Sequence, residues 1–352
     1  MTIKSHQRAT VWLLSLTFFN GLVLAAITVL NWLGADRWWF GALNLYLPQA
    51  IWLIPGILLT CFSLKFCRRW ILLPLLCVLW VAGPIMDFCW PLHSPPDLPG
   101  SLPVRVMTCN AKYGKRDITA LINDIQLYEP NVVLLQDADA GRSLKGPLGN
   151  FFRGWNVRSF DQYVIASKLP LSEAQIRKIS FPGENHSCLR CELRIGEAVI
   201  VVYNVHLETP RAGLNEFRTV KRRPSYLPQA VQRFENNVEA RLIQARTLSD
   251  YISKEQGPVI VAGDLNSPDA SLACAMLRNA GLHDAFAEGG KGYGYTYGHF
   301  LLQHRVPWLQ LPWMRIDHIM ASSHFQSRRC RTGTEKASEH RPVIADLLLM
   351  HI

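Results

Sequence analysis

Three stretches near the start of the chain carry no charged side chain: residues 9–35, 38–64 and 70–86, separated only by Asp36-Arg37 and by Lys65, Arg68 and Arg69. A helix that crosses a bilayer needs about 20 apolar residues, range about 17–25. The pattern predicts three membrane helices over about 9–34, 47–64 and 70–90. Pro55, Pro74 and Pro84 are tolerable in such helices, because neighbouring segments satisfy the freed carbonyls. Two further apolar segments and the lack of a small-residue cleavage site argue against a cleaved signal peptide.

Beyond residue 90 the pattern changes. A Pro-rich connector over 91–103 is expected to be extended. After it, short apolar runs alternate with helical stretches. Strands are predicted over 104–109, 132–136 and 163–167, with a helix over 117–128 that Asp117 caps. Residues 189–195 and 198–206 flank Gly196-Glu197 as a hairpin. A long helix over 231–252, a buried strand over 259–262, a short helix over 271–279 and strands over 318–322 and 343–349 complete the pattern. The fold class is α/β, and the hairpin-rich later half argues for mixed sheets. The expected organisation is a membrane region (1–90), a linker (91–103) and one domain (104–352).

Composition supports that division. Charged residues make up 18% of the chain, against about 25% in soluble domains. Residues 1–100 hold only nine of the 64 charges. Disordered, collagen-like and disulfide-stapled classes are excluded. Lys4 and Arg8 before the first span, and Lys65, Arg68 and Arg69 between the second and third, place those segments in the cytoplasm by the positive-inside rule. Three crossings then put the domain on the extracytoplasmic, periplasmic side. The five cysteines past residue 100 are an odd number and form no disulfide framework. Cys188 and Cys191 are i and i+3 on a predicted strand, so they face opposite sides and read as core residues.

Several apolar strands end in a residue suited to metal or phosphate chemistry. The first ends at Asn110, the second at Asp137, the hairpin at His206, and the 259–262 strand at Asp264-Leu-Asn266. Asp317-His318 opens a late strand, and Glu339-His340 precedes the last. If these ends share one rim, carboxylates can hold a hard cation while imidazoles move protons. Singly, each is also an ordinary turn residue.

Taken in order, TCNAKYG (108–114), LLQD (134–137), NVHLE (204–208), GDLNS (263–267), RIDHI (315–319) and SEHRPV (338–343) resemble the endonuclease/exonuclease/phosphatase superfamily with its deoxyribonuclease-I-like fold. The resemblance spans about 103–349. It implies a four-layer sandwich, two mixed β-sheets packed between helices, and cleavage of a phosphoester assisted by Mg²⁺, with Mn²⁺ as the alternative. It also implies roles. Asn110, Asp137 and Glu339 would lie at the metal. His340 would serve the attacking water as base or electrostatic partner, oriented by Asp317. Asp264 would position that water or protonate the leaving oxygen, Asn266 would hold a phosphate oxygen, and His206 would donate to the phosphate. Two positions depart from the family pattern: Asp137 stands where Glu is usual, and Glu339 where Asp is usual.

Residues 101–352 carry 31 Lys or Arg against 24 Asp or Glu, an excess of +7. Arg211, Arg218 and Arg222, in the connection after His206, are expected to bind an anionic substrate, with a solvated loop as the plain alternative. Residues 300–314, with Trp308 and Trp313 each after a proline, read either as a packed loop closing the domain core or as a loop resting on the bilayer. The expected partners are the bilayer and a phosphoester, a phospholipid among the candidates, with no obligate protein partner. An anchored nuclease acting on nucleic acid, and a non-catalytic binding domain with a decayed metal site, are the alternatives. The topology is checked by reporter fusions after Pro103: alkaline phosphatase should be active there, and a fluorescent protein that matures only in the cytoplasm should stay dark.

Overall fold

The computed structural model describes residues 3–91, 100–114, 116–138, 144–298 and 310–350. Most of the Pro-rich connector and of the 300–314 stretch, Trp308 included, lies outside the described residues. The chain divides into two compact units, Met1–Phe88 and Cys89–Ile352.

The first unit contains α1 (Ile3–Leu33), α2 (Trp39–Tyr46), α3 (Leu53–Phe66) and α4 (Leu72–Trp80). Three segments are long and apolar enough to cross a membrane: Gln7–Leu33, Gln49–Phe66 and Arg68–Ile85. Large apolar side chains such as Trp12, Phe18, Leu58 and Leu76 point outward. Gly56 lets α3 approach α4, because a Cβ there would come within 2.9 Å of Val78 Cγ2. The third segment stops short of residue 90. Pro84 cannot donate a hydrogen bond, and the helix widens to a π-turn over Val81–Ile85, with Met86 N–H donating to Val81 O. Cys89 already pairs with Gly292 and belongs to the second unit.

The second unit is two six-stranded mixed sheets packed among helices. The first sheet comprises β1 (Leu102–Asn110), β2 (Val132–Gln136), β3 (Asn156–Phe160), β4 (Tyr163–Ser167), β11 (Phe325–Thr332) and β12 (Val343–Leu349), in the order β11-β12-β1-β2-β4-β3. The second comprises β5 (Gln175–Lys178), β6 (Ser187–Ile195), β7 (Ala198–His206), β8 (Val259–Asp264), β9 (Leu282–Asp284) and β10 (Asp317–Ser322), in the order β5-β6-β7-β8-β10-β9. Helices α5 (Ile118–Tyr128), α6 (Pro147–Phe151), α7 (Arg211–Val220), α8 (Leu227–Ile252), α9 (Leu272–Asn279) and α10 (Ala285–Gly289) connect them.

Each sheet has one parallel pair, β1 with β2 and β7 with β8. The strands antiparallel to these, β12 and β10, begin where the parallel pairs end. That topology brings Asn110, Asp137, His206, Asp264, Asp317 and His340 to strand ends. Alternation along β1 turns Val104 and Val106 toward the space between the sheets, and Met107 and Cys109 toward Leu121 and Ile125 of α5. Both faces are buried, which is why these strands read as unbroken apolar runs. Cys191 lies in the intersheet core and Cys188 is buried as well, and burial pushes their thiols up to about 11 and about 12.

Seven elements of this unit go beyond the sequence pattern: β3, β5, β9, β11, α6, α7 and α10. β3 and β5 have largely exposed side chains, and β11 alternates arginines with buried residues, so none carries a clean apolar signal. Residues 211–220 were expected as a connection and form helix α7. Gly213 allows its packing, because a Cβ there would meet Phe234 of α8 at 2.9 Å.

A buried ion network fixes the loop that follows β8. The Arg315 guanidinium reaches Asp284 at 2.7 Å and Asp269 at 3.1 Å. His318 Nδ1 lies 2.7 Å from Asp284, and its Nε2 lies 3.0 Å from Ser267 O. Burial raises the Asp284 carboxyl, but Arg315 and the His318 hydrogen bond outweigh it and hold it well below the carboxylate range. For His318 burial works downward, and the Cys274 sulfur and Asp284 overcome it, leaving the ring well above the ordinary value.

The raised histidine contributes stability that is complete below about pH 6.5 and is lost as pH rises through its folded value. The depressed aspartate contributes stability present above about pH 3.9 and lost as pH falls through its folded value. Thermal unfolding followed against pH should therefore show a plateau near pH 5–6 and a fall on the alkaline side. His318→Gln should lower the plateau by about 3–5 kcal/mol, the scale of a broken buried pair, and flatten the alkaline limb.

Candidate functional site

The rim is built from both sheets. Asn110 ends β1, is fully buried, and donates from Nδ2 to Asp264 Oδ2 at 2.9 Å. Asp264 ends β8 and also accepts from Asn266 N–H at 2.9 Å. Gly263 is required beside it, because a side chain there would overlap the Val205 carbonyl of β7. His206 ends β7 level with Asp264, and its Nε2 lies 3.5 Å from Asp264 Oδ2. Its Nδ1 contacts Gln162 Oε1 at 2.6 Å and faces Asp137 Oδ1 at 3.5 Å. Asp137 Oδ2 faces the Lys112 ammonium at 3.2 Å.

On the other flank, Asp317 opens β10 opposite Asp264. It holds His340 Nδ1 at 2.9 and 3.1 Å, and the same nitrogen lies 3.7 Å from Asp264 Oδ2. Nε2 of His340 has no hydrogen-bond partner among the described residues. The Tyr297 ring packs against His340 with centroids 4.5 Å apart. Ser338 donates to Asn110 O at 2.6 Å and accepts from His340 N–H, which ties the last turn to β1.

Electrostatics follow from this crowding. Burial raises the Asp264 carboxyl, but His340, His206, Lys112 and the Asn110 hydrogen bond together lower it below its ordinary value. For His340 burial works downward, and Asp317 and Asp264 prevail and raise it. Burial likewise lowers Lys112, while Asp264 and Asp137 outweigh it and raise it. Backbone strain collects here too. Lys112, Tyr113, Asp137 and Asn266 are four of the seven non-glycine residues with left-handed φ among the described residues, each costing about 1–3 kcal/mol.

The structure brings together Asn110, Asp137, His206, Asp264, Asp317 and His340. Asn266 adjoins them, with its amide donating to Leu207 O at 2.9 Å. The ligand atoms of Asp264, Asp317 and His340 all lie within 4.8 Å of one another. Asp137 and Glu339 are outside that group. Glu339 is half-buried and acts on Arg211 through its charge. Arg211 begins α7 and donates to Tyr297 Oη at 3.3 Å. Arg218 and Arg222 are exposed; Arg218 lies two turns further on, about 10 Å along the helix.

Lys112, Gln162 and Tyr297 were not singled out by the sequence. Lys112 lies inside the TCNAKYG stretch, so an unexpected cation within a matched motif was a usable signal. Gln162 and Tyr297 reach the rim only through tertiary packing. Trp313 is half-buried against the backbone of Gly298, in keeping with the packed-loop reading of its stretch.

Residues 107–340 match the profile of the Endonuclease/Exonuclease/phosphatase family. No curated protein matches the chain. Among solved structures, an endonuclease/exonuclease/phosphatase from Beutenbergia cavernae is similar at 19% identity and a TM-score of 0.51, over 70% of this chain and 72% of that one. Truncated Caenorhabditis elegans TDP2 shares 18% identity at a TM-score of 0.51, over 70% and 97% of the two chains. The mannosyl-6-phosphatase Bt3783 of Bacteroides thetaiotaomicron shares 13% at 0.52, over 69% and 99%. At these identities the structural likeness speaks for the fold. The profile match spans about two thirds of the chain, and the protein therefore belongs to the endonuclease/exonuclease/phosphatase family of phosphoester hydrolases.

Proposed function

We propose that this protein is a membrane-anchored, divalent-metal-dependent phosphoesterase acting on a lipid or small-molecule phosphoester, with its catalytic domain outside the cytoplasm. The observation that carries the reading is the unbroken run of contacts Lys112–Asp137–His206–Asp264–His340–Asp317 along the rim. The three apolar N-terminal segments support the anchoring.

The donor set suits a hard cation. Three carboxylates, Asp137, Asp264 and Asp317, gather with one lysine and two histidines, and the oxygens of Asp137 and Asn110 are of the type that binds Mg²⁺ or Mn²⁺. Asp137 and Asn110 would hold the ion. When bound it supplies positive charge that polarises a phosphoryl oxygen.

The remaining work falls to the chain. Asp317 fixes the His340 ring through Nδ1, which leaves Nε2 to exchange a proton with the attacking water. Asp264 holds His340 and His206 in register from between them. His206 and Lys112 present hydrogen-bond donors to a phosphoryl group, and such preorganised charge is worth several kcal/mol in the transition state.

Phosphodiesters, phosphomonoesters, phospholipids and nucleic acid, assayed with Mg²⁺ and with chelator, separate the substrate classes. Hydrolysis should stop in chelator. His340→Ala should preserve the melting temperature and lower turnover by about 10² or more. Chelator-insensitive turnover would refute the metal-assisted reading, and hydrolysis confined to nucleic acid would refute the lipid or small-molecule one.

A further inference from the structure

A second charged feature lies away from the rim, on the edge strand of the first sheet. Lys291, Arg328, Arg329 and Arg331 line a concavity of about 510 Å³, with no carboxylate among its described lining residues. Its floor depends on a close backbone approach. A Cβ at Gly289 would meet Ser327 Oγ at 2.8 Å, so glycine lets the chain after α10 lie against β11, where Gly290 bridges Cys330. The register of β11 shifts between Ser327 and Arg329, which places two arginines in succession at the irregularity. Arg331 stacks over the Tyr128 ring at 5.0 Å, while Arg329 and Lys291 are exposed.

Such arginines on an edge strand also discourage strand-to-strand aggregation. Two further observations point to a ligand. Pro91 lines the same concavity, and it follows the last apolar residue of the third segment, Ile85, by six positions. Six residues reach at most about 20 Å. Cys89 is joined to Gly292 by two backbone hydrogen bonds of 2.9 Å, so the chain is held at this face. The second observation is Trp90, 62% exposed, with its ring 5.5 Å from the Lys291 ammonium. Exposed tryptophan and lysine are the side chains that anchor at a membrane–water interface.

We propose that this basic concavity seats the headgroup of an anionic phospholipid and docks the catalytic unit on the bilayer, a reading that rests on the membrane anchoring proposed above. The phosphate would sit among the guanidinium groups while Trp90 lies at headgroup level.

The full-length protein in neutral detergent micelles is titrated with fluorescent phosphatidylglycerol and, in parallel, phosphatidylcholine. Phosphatidylglycerol should bind more tightly, with a preference that shrinks as salt is raised. At roughly five-fold per basic residue, K291Q/R329Q should weaken phosphatidylglycerol binding by about 25-fold. The charge-retaining K291R/R329K should bind as the wild type does, with melting temperatures confirming that both variants fold. Equal binding of the two lipids, or wild-type affinity in K291Q/R329Q, overturns the proposal and leaves the arginines as protection for a strand edge. Alkaline carbonate extraction of membranes is run beside it: release of the wild-type chain overturns the anchoring itself and the docking with it, whereas retention with no lipid preference overturns the docking alone.

Discussion

The second unit turns on one buried carboxylate. Asp264 is fully buried at the end of β8, where an unpaired charge would be prohibitively costly. It is sustained by what converges on it: the Asn110 amide from the opposite sheet, the Asn266 backbone, and the imidazoles of His206 and His340. Each partner comes from a different chain segment, so satisfying this one group fixes how the two sheets meet at the rim. A second crossing lies beneath it. Gln136 of the first sheet donates to Asn204 of the second at 2.7 Å and to Thr108 at 3.0 Å, with all three side chains fully buried. The family motifs therefore mix roles. Gln136 and Asn204 bond the sheets together, with Thr108 bracing Gln136 within the first sheet, while their motif neighbours Asn110, Asp137 and His206 line the rim.

Strand β10 shows the same division within four residues. Alternation sends Asp317 to His340 at the rim and His318 to the opposite face, where it joins Arg315, Asp284 and the Ser267 carbonyl. The loop 264–267 is thus held from both sides, by a carboxylate that faces the rim and by a neutralised ion network behind it. That support allows Asn266 to keep its left-handed backbone.

Much of this was legible in the sequence. Strands buried on both faces announce themselves as apolar runs, and β12 spans the predicted 343–349. The cap read at Asp117 marks a real helix start, and the helix expected from 271 begins one residue later, with Ser271 as its cap. Elements with little burial were not legible. β3 and β5 lie at sheet edges, and α7 buries only Gly213. The rim residues were legible wherever a polar residue ended an apolar strand. They were illegible where a side chain arrives from a distant loop, as Gln162 and Tyr297 do. Nor did spacing foretell that Glu339 would sit in the field of Arg211, or that a lysine would pair with Asp137 at the outer end of the rim.

The central claim is that residues from two sheets act as one catalytic unit through the Asn110–Asp264 contact. A double-mutant cycle on kcat/KM tests it most directly, with Asn110→Ala, Asp264→Ala and the pair measured on the same phosphoester. Groups that work as one unit are strongly non-additive, so the double variant should be little worse than the more damaging single one. Losses that simply multiply, to within about two-fold, would show two independent residues and contradict the account.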